Sequence, residues 1–328
     1  MSTLKVDGIR SNSASSDAIT LASDGTCTAN ITNNLSNRNK VINGAMVIAQ
    51  RGTSFSPTGT EQPRTLDRFQ HLGTSGANGD CTVTQSTDAP AGFKNSYKVT
   101  PDTTNTPQGG GNVAIRTRLE GQDLQDLAYG TSSAKSVTIS FYAKTASANS
   151  GDQYAFCLFY ARADGTQKTV SAAFTPTSTW QRFSFTFAGD TDASYGIRED
   201  TSQGMTLVWV LAAGPNDIKD AMSTWSVDGG YFRGVTNHDN FMDNTSNEFY
   251  LTGVQLEVGS VATDFEHRSY GDELARCQRY YYKIASDAAY SDMTIGTGHQ
   301  NGAYGVCTLQ NPVPMRTKPS ITVPTVTD

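Results

Sequence analysis

Short segments of strand length, separated by clusters of glycine, aspartate and proline, recur along this chain of 328 residues. Apolar and polar residues alternate in 136–143 and 182–187, which is the pattern of strands with one buried face. Residues 154–160 are apolar throughout, which predicts a strand buried on both faces. Further strands are expected at 205–211 and 248–257. The predicted strands do not alternate with helices, which argues against a parallel α/β fold. The pattern therefore predicts an all-β protein built as a two-sheet sandwich.

The distribution of apolar residues divides the chain into four regions. Residues 1–37 hold too few apolar residues to bury a core alone, so we expect them to share a core among three copies or to dock on another protein. A flexible tail is the alternative. Residues 38–267 form the predicted sandwich. Residues 268–284 form a predicted helix, and residues 285–328, broken by four prolines, form a small β region that looks incomplete.

The predicted helix has a recognisable start. Ser269 can cap the helix with its hydroxyl group. Asp272 and Glu273 follow in the first turn, where the helix dipole favours acidic side chains. Leu274 and Cys277 then lie three residues apart and contribute to one apolar face.

Charge and composition argue against several classes of partner. The formal net charge is −6 at pH 7 and basic runs are absent, so binding to nucleic acid is not expected. No apolar run approaches the roughly 20 residues that a membrane span needs, so membrane insertion is not expected either. The first residues lack the apolar core of a signal peptide, which predicts synthesis in a cytoplasm without ordinary secretion.

Signatures of catalysis and of metal binding are missing from the sequence. The four histidines and five cysteines do not have metal-ligand spacing. The main group of carboxylates, within residues 264–273, lies where helix capping explains it. A glycosidase would need two carboxylates on either side of a groove, and nothing in the sequence indicates such a pair. We therefore expect no enzyme activity, no catalytic residue, no cofactor and no metal.

A segment rich in aromatic residues, 216–247, is the best candidate for a binding site. Sugars bind to aromatic faces and to planar hydrogen-bonding side chains, and this segment contains both. The predicted glycan- or receptor-binding residues are Trp225, Tyr231, Phe232, His238 and Phe241. The alternative is that these residues pack the segment onto the sandwich or onto a neighbouring subunit, which is the more usual role of loop aromatics.

A set of short blocks occurs in a fixed order along the chain. Asn43-Gly44 is the first, and we expect it to form a bulge or turn early in the first strand. The others are 50–54 (QRGTS), 66–69 (LDRF), 180–183 (WQRF), 254–259 (VQLEVG), 262–266 (ATDFE) and 273–281 (ELARCQRYY). Over roughly residues 38–284, the ordered blocks resemble the jelly-roll domain of bacteriophage tail fibres and other virion surface proteins.

The resemblance implies a jelly-roll β-sandwich similar to carbohydrate-binding modules. It also implies an extended β segment before the sandwich, one short helix after it and a small C-terminal β region. Such modules often hold a structural calcium through an acidic residue that follows the Asn-Gly pair. Ala45 stands at that position here, so we expect no metal.

The charged residues of the blocks are expected to form structural ion pairs, because paired charges inside a sandwich rarely carry out chemistry. The expected residues are Arg51, Asp67, Arg68, Glu257 and Glu266, with Arg182 or Arg268 as partners of the two glutamates.

By resemblance, the chain is a structural component of a phage virion, made in the cytoplasm of a bacterial host. The implied form is a homotrimeric tail fibre or fibre adaptor involved in host attachment, with a host surface glycan as a further partner. Residues 1–37 would bind other virion proteins of the tail or capsid. A capsid decoration or head-fibre protein is the alternative. A polysaccharide depolymerase is the third reading, but the β-helix repeat common in such tailspikes is not found here.

Overall fold

The chain divides into two compact units, Met1–Arg38 and Asn39–Asp328. The computed structural model describes residues 6–13, 15, 17–21, 23, 27–29, 37–56, 65–73, 80–162, 165–194, 196–227, 233–283, 298–301, 304–307 and 310–320. In the first unit, β1 (Gly8–Ile9), β2 (Ile19–Leu21) and β3 (Cys27–Ala29) form an antiparallel sheet in that order. The expected β segment before the sandwich is therefore confirmed.

The second unit is composed mainly of strands. They are β4 (Ser54–Phe55), β5 (Phe69–Gly73), β6 (Cys81–Ser86), β7 (Ser96–Pro101), β8 (Asn112–Glu120), β9 (Val137–Thr145), β10 (Tyr154–Ala161), β11 (Gln167–Phe174), β12 (Gln181–Phe187), β13 (Gln203–Ala213), β14 (Ile218–Lys219), β15 (Gly234–Val235), β16 (Phe249–Val258), β17 (Gly298–Asn301) and β18 (Tyr304–Cys307). One α-helix, α1 (Tyr270–Gln278), follows β16. Short 3-10 helices cover Gly121–Leu127, Ser147–Asn149, Pro215–Asp217 and Phe241–Asp243.

Two antiparallel sheets face each other across one apolar core. The five-stranded sheet has the order β11-β10-β13-β8-β5, and the six-stranded sheet has the order β12-β9-β16-β7-β6-β4. The main cluster of buried apolar side chains draws on strands of both sheets. Together with α1 and the β17–β18 hairpin, this arrangement confirms the predicted all-β jelly-roll sandwich with a short helix and a small C-terminal β region.

Aromatic side chains dominate the core between the sheets. Trp209 on β13 has no exposed surface, and its ring centroid lies 5.5 Å from that of Phe141 and 5.4 Å from that of Phe156. Ring pairs at such distances contribute about 0.5–1.5 kcal/mol each beyond the burial of their area. Because Phe141 belongs to the six-stranded sheet and Phe156 to the other, Trp209 ties the two sheets together.

The outer face of the five-stranded sheet is covered by the chain itself. Val235 packs in a second apolar cluster with Cys157 and Val208 on this face. At the edge strand β11, Thr169 and Ser226 exchange backbone hydrogen bonds of 2.9 and 3.1 Å. The interior strand β10 is therefore buried on both faces, as its unbroken apolar sequence predicted.

The Asn43-Gly44 block does not lie in a strand. Asn43 has φ of 62° and Met46 has φ of 58°, and these left-handed conformations turn the backbone away from an extended path. The segment instead follows β16, where the amide of Lys40 donates to Leu256 and the amide of Val254 donates to Gly44. The expected turn is therefore present and is fixed by tertiary hydrogen bonds, whereas the first strand expected around it is not formed.

Asn43 is the centre of a buried polar network. Its Nδ2 donates to the carbonyl oxygens of Ile48 and Asp67 at 2.9 and 2.8 Å. Its Oδ1 accepts from the amides of Val47 and Ile48 at 3.0 and 2.9 Å. Its own amide donates to Glu273 Oε1 on α1 at 2.5 Å. We call these five residues the Asn43 network; within it, every hydrogen-bonding atom of the buried Asn43 side chain has a partner.

Helix α1 begins as predicted and ends earlier than predicted. The hydroxyl group of Ser269 accepts from the amide of Asp272 at 3.2 Å, which confirms the N-cap. The helix ends at Gln278. Beyond it, the carbonyl oxygen of Arg279 accepts from the amide of Arg316 at 3.0 Å instead of continuing the helical pattern. The structure therefore corrects the predicted end at residue 284.

We predict that Asn43→Ala destabilises the protein by about 3 kcal/mol, because buried donors and acceptors lose their partners. Urea unfolding followed by circular dichroism measures the change. Asn237→Ala is the matched control, since Asn237 has φ of 63° but is exposed. The control should cost less than about 1 kcal/mol. Equal effects of the two substitutions would show that backbone conformation, and not the network, is what Asn43 provides.

We predict that Gly44→Ala costs about 3 kcal/mol or more, because a Cβ at this position would collide with the carbonyl oxygen of Val254. Gly271→Ala is the control. Gly271 lies in α1 with no atom near its potential Cβ, so alanine there should stabilise the protein by roughly 0.5–1 kcal/mol. Thermal unfolding of both variants checks the opposite signs.

Candidate functional site

The described members of the aromatic set predicted to bind glycan do not meet at one surface. Trp225 is half-buried and packs edge-on against Tyr129 and Tyr160, with ring centroids 5.5 and 5.1 Å away. Its Nε1 donates to the carbonyl oxygen of Ala188 at 2.7 Å. Phe241 is fully buried in the main core, so its ring is not available to a ligand. Both side chains anchor the segment to the sandwich.

His238 is half-buried, and its ring lies edge-on to that of Tyr154, with centroids 6.0 Å apart. Burial lowers the pKa of His238 to about 4, so the imidazole is neutral at pH 7. Tyr231 and Phe232 lie outside the described residues. Among the described members of the predicted set, packing is the common role, which is the alternative that the sequence left open.

Arg51, Asp67 and Arg68 lie together near the exit of helix α1. Arg51 Nη1 donates to Asp67 Oδ1 at 3.1 Å. The guanidinium groups of Arg51 and Arg68 stack over the rings of Tyr281 and Tyr280, each 3.4 Å from the ring centroid. Burial raises the pKa of Asp67, and this effect is opposed by hydrogen bonding and by the charges of the two arginines.

Glu257 and Glu266 fix the segment that leaves the last strand. Glu257 accepts from the amide of Thr263 at 2.9 Å and from its hydroxyl group at 2.7 Å. Glu266 lies 3.6 Å from Arg268, one of the two partners considered for it. Arg182, the other, donates to the carbonyl oxygen of Thr263. These charges bind backbone and side chains of the same domain.

Glu120, at the end of β8, is a heavily bonded carboxylate that the sequence did not single out. Arg279 donates to it twice, from Nε at 2.9 Å and from Nη2 at 2.8 Å, and the Tyr280 hydroxyl group donates as well. Burial alone would raise the pKa of Glu120, but the hydrogen bonds from Arg279 and Tyr280 lower it below its ordinary value. No local pattern could have revealed this, because the partners lie far away in the sequence.

A mixed group of aromatic and charged side chains lies on the outer face of the six-stranded sheet. We call it the Trp180 patch, and its members are Asp88, Lys98, Lys144, Trp180, Glu248 and Tyr250. In the sheet, Lys144 on β9 is the partner of Tyr250 on β16, and Tyr250 is in turn the partner of Lys98 on β7. Trp180 directly precedes β12, the other neighbour of β9. The patch therefore crosses four adjacent strands.

The two rings of the Trp180 patch are in contact with each other and with two cations. The Trp180 and Tyr250 rings meet edge to face at 6.1 Å. The Nζ atoms of Lys144 and Lys98 lie 4.8 and 5.3 Å from the centroid of the Tyr250 ring. Both distances are within cation–π range. Tyr250 is thereby buried beneath its neighbours, whereas Trp180 stays half-exposed.

Two carboxylates orient the rings and the ammonium groups. Asp88 accepts from Trp180 Nε1 at 2.9 Å and also from Lys144. Glu248 accepts from Lys98 at 2.5 Å and from the Tyr250 hydroxyl group at 2.7 Å. Burial would raise the pKa of each carboxyl, but these hydrogen bonds lower both pKa values below their ordinary 3.8 and 4.5. Both groups are therefore ionised at neutral pH.

Sequence reasoning missed the Trp180 patch as a site. Trp180 was recognised only as part of a structural block, and the other members come from separate strands and loops. The one available signal was the Trp180 block itself, since a tryptophan before an edge strand can expose its ring.

A second aromatic cluster lies on the same outer face. Phe93 packs against Tyr142, Phe265 and His267, with ring centroids 5.4, 5.0 and 5.2 Å away. It covers a β-bulge in β16 at Gly253, which has φ of +61°. A side chain there would collide with the rings of Phe93 and Tyr142. The cluster thus packs the segment after β16 onto the sheet.

The described residues offer little for covalent or metal chemistry. Within the part of the chain that the structure describes, no three His, Cys, Asp or Glu residues are grouped to hold a metal ion. Cys81, Cys157 and Cys277 are buried free thiols. Burial raises the pKa of each, that of Cys157 to about 12, so they are not nucleophilic thiolates at neutral pH. None of the described helices has the length and hydrophobicity to cross a membrane.

Comparison with known proteins gives only distant similarities. The chain matches no protein-family profile and no curated protein. Among solved structures, the enzymatically active domain of tailspike protein 4 from bacteriophage CBA120 shares 9% identity at a TM-score of 0.35, covering 67% of this chain and 21% of that one. This chain therefore spans about a fifth of that tailspike chain.

Two carbohydrate-binding modules are similar over most of their own length. The family 11 module from Clostridium thermocellum, solved with a β-1,3-1,4-mixed-linked tetrasaccharide, shares 15% identity at a TM-score of 0.33, covering 66% of this chain and 99% of that one. The CBM22-1 xylan-binding domain of Paenibacillus barcinonensis Xyn10C shares 14% at a TM-score of 0.30, covering 65% and 99%. Similarities this distant assign neither a ligand nor a partner to this chain.

We predict that Glu120→Gln destabilises the protein by about 2 kcal/mol at pH 7, because the pair loses its buried charge and the half-buried Arg279 loses its counter-ion. The pKa of Glu120 is lowered in the folded state, so its contribution is complete above the ordinary 4.5 and is lost as the pH falls below that value. The difference between wild type and variant should therefore shrink between pH 5 and pH 3. Urea unfolding at a series of pH values measures it.

Asp126→Asn is the matched control for this prediction. Asp126 pairs with Lys40 at 2.8 Å, but its side chain is 46% exposed, so its loss should cost less than about 0.5 kcal/mol at any of these pH values. If Glu120→Gln lowered the free energy of unfolding no more than the control does, the Glu120–Arg279 pair would not stabilise the fold.

Proposed function

We propose that this chain is a structural component of a bacteriophage virion, a homotrimeric tail fibre or fibre adaptor that takes part in host attachment. The ordered blocks of the sequence support this proposal through their resemblance to virion jelly-roll domains. Their side chains support it too, because Arg51, Asp67, Glu257 and Glu266 are engaged in bonds within the domain. Such a domain serves as a rigid module in a larger assembly.

The observation that carries the trimer is the exposed apolar face of the first unit. Ile9 pairs with Ile19, and Leu21 lies two residues further along β2, so all three residues share one face of the sheet. Ile9 is 52% exposed and Leu21 is 39% exposed. A sheet this small is barely stable with its apolar face in water. Three copies that packed these faces together would bury them.

We further propose that the chain has no enzyme activity. Hydrolysis of a polysaccharide needs one carboxyl group free to protonate the leaving group and a second free to act as base or nucleophile. The carboxylates of Asp67, Asp88, Glu120 and Glu248 are instead bonded to arginine, lysine, tryptophan or tyrosine side chains. Incubation with host envelope polysaccharide should release no reducing sugar.

We predict that the purified chain is a trimer by light scattering and that Leu21→Asp converts it into a monomer, because a buried charge in the shared core is costly. Thr20→Asp is the matched control. Thr20 is exposed and pairs with Gly8 on the opposite face, so its variant should remain trimeric.

A wild-type chain that is monomeric at micromolar concentration would contradict the trimer. Dissociation of the Thr20→Asp variant to the same extent would contradict the assigned face. Recovery of the wild-type chain with purified virions, and loss of recovery when residues 1–38 are removed, would connect this unit with attachment to the particle.

A further inference from the structure

The two outer faces of the sandwich differ in what covers them. The outer face of the five-stranded sheet is closed by β14, β15 and the residues around Ser226. On the six-stranded sheet, residues 260–267 cover the part that contains Gln255 and Glu257, which are buried. The Trp180 patch is the part of this face where a tryptophan ring, two lysines and two carboxylates are accessible to solvent.

Trp180 differs from the other two tryptophans of the chain. Trp209 is fully buried at the centre of the core, and Trp225 is packed against the core from outside. Trp180 belongs to neither the core nor its packed margin. It is half-exposed at the edge of a sheet and touches the ring of Tyr250 and the side chain of Asp88. Packing of the core therefore does not explain this residue.

The Trp180 ring is held in place before any ligand arrives. Its Nε1 is bonded to Asp88, which is itself bonded to Lys144, and its edge contact with Tyr250 limits rotation. A ligand that stacked on this ring would lose little affinity to the ordering of side chains. Pre-organised aromatic rings with polar neighbours are a common basis of specific recognition.

We propose that the Trp180 patch binds pyranose rings of an uncharged polysaccharide. The Trp180 ring would stack on the C–H face of one sugar. Asp88 and Glu248 would accept hydrogen bonds from sugar hydroxyl groups, and Lys98 and Lys144 would donate them. This inference rests on the proposed role in host attachment and names the ligand class.

The charges of the patch favour an uncharged ligand over an acidic one. Lys98 is paired with Glu248 at 2.5 Å, and Lys144 is paired with Asp88. An acidic polysaccharide would have to displace these carboxylates or lie beside them, which is unfavourable. Sugar hydroxyl groups can instead donate to the free lone pairs of the same carboxylates without breaking either pair.

The test is affinity electrophoresis of the full 328-residue chain in gels that contain a polysaccharide. Hydroxyethylcellulose, galactomannan and dextran are the uncharged probes, and alginate is the acidic probe. We expect at least one uncharged probe to retard the protein. The retardation should persist at 0.5 M NaCl, where the Debye length is roughly 4 Å and attraction between exposed charges is screened. Titration calorimetry with the same probe then gives the affinity.

Trp180→Ala should weaken that affinity about tenfold or more, as expected for a central aromatic contact. Trp180→Phe keeps a ring and should retain most of it. Tyr270→Ala is the matched control, since Tyr270 is an aromatic residue 63% exposed outside the patch, and it should bind like wild type. Unfolding temperatures show whether each variant is folded. If the alanine variant is not, Trp180→Leu, which keeps apolar volume without a ring, should show the same loss of affinity.

Several results would overturn the proposal. In one, none of the uncharged probes retards the wild-type protein. In another, only alginate retards it, and salt abolishes the effect. A third is unchanged binding by a folded Trp180→Ala variant. Light scattering on the same samples keeps the two claims apart. A trimer that does not bind leaves the virion role standing, whereas a monomer that binds through Trp180 leaves this site standing without the trimer.

Discussion

The second unit depends on the buried polar network around Asn43. The chain enters the sandwich through a turn that lacks the hydrogen bonds of a regular strand, and Asn43 supplies them from its side chain. Glu273, on the helix that follows the last strand, accepts from the Asn43 amide. Because an unpaired buried polar group costs about 1–3 kcal/mol, the network is stable only when complete. The beginning and the end of the domain therefore form together.

The recurring blocks extend this network outward. Arg51 and Arg68 stack on the two tyrosines that follow α1, and Glu120 binds Arg279 at the end of the same helix. Each contact joins residues that are far apart in sequence. The charged residues that stand out in the sequence as candidate functional groups thus connect parts of the domain. In our proposals, contacts with partners are made by the Trp180 patch and by the apolar face of the first unit.

Those parts of the fold that depend on local pattern could be predicted from the sequence. Alternation in residues 136–143 marks a strand, although the polar Thr138 and Ser140 are buried as well. The unbroken apolar run at 154–160 reports burial directly, and Ser269 marks the helix start by its capping chemistry. The Asn43-Gly44 pair indicates a turn, but the absence of a strand around it could not be predicted, because the left-handed backbone of Asn43 is stabilised by distant partners. The same holds for the end of α1.

The candidate site was less accessible to prediction than the fold. Phe241 lies in a segment with the composition of a sugar-binding loop, but its side chain is buried against the sheet beneath it. The local sequence does not indicate that contact. The Trp180 patch has the reverse difficulty. Its rings and charges come from β7, β9, β16 and three connecting segments, so they become a surface only once strand order is known. Strand order is a property of the whole domain.

Native-state hydrogen exchange of the Asn43 network tests the central claim most directly. The amides of Asn43, Val47 and Ile48 donate within the network and lie outside any strand. If the network is a cooperative part of the core, these amides should exchange only by global unfolding, with the same opening free energy as the amides of β13. Exchange at a much lower opening free energy, as in ordinary loops, would contradict the account.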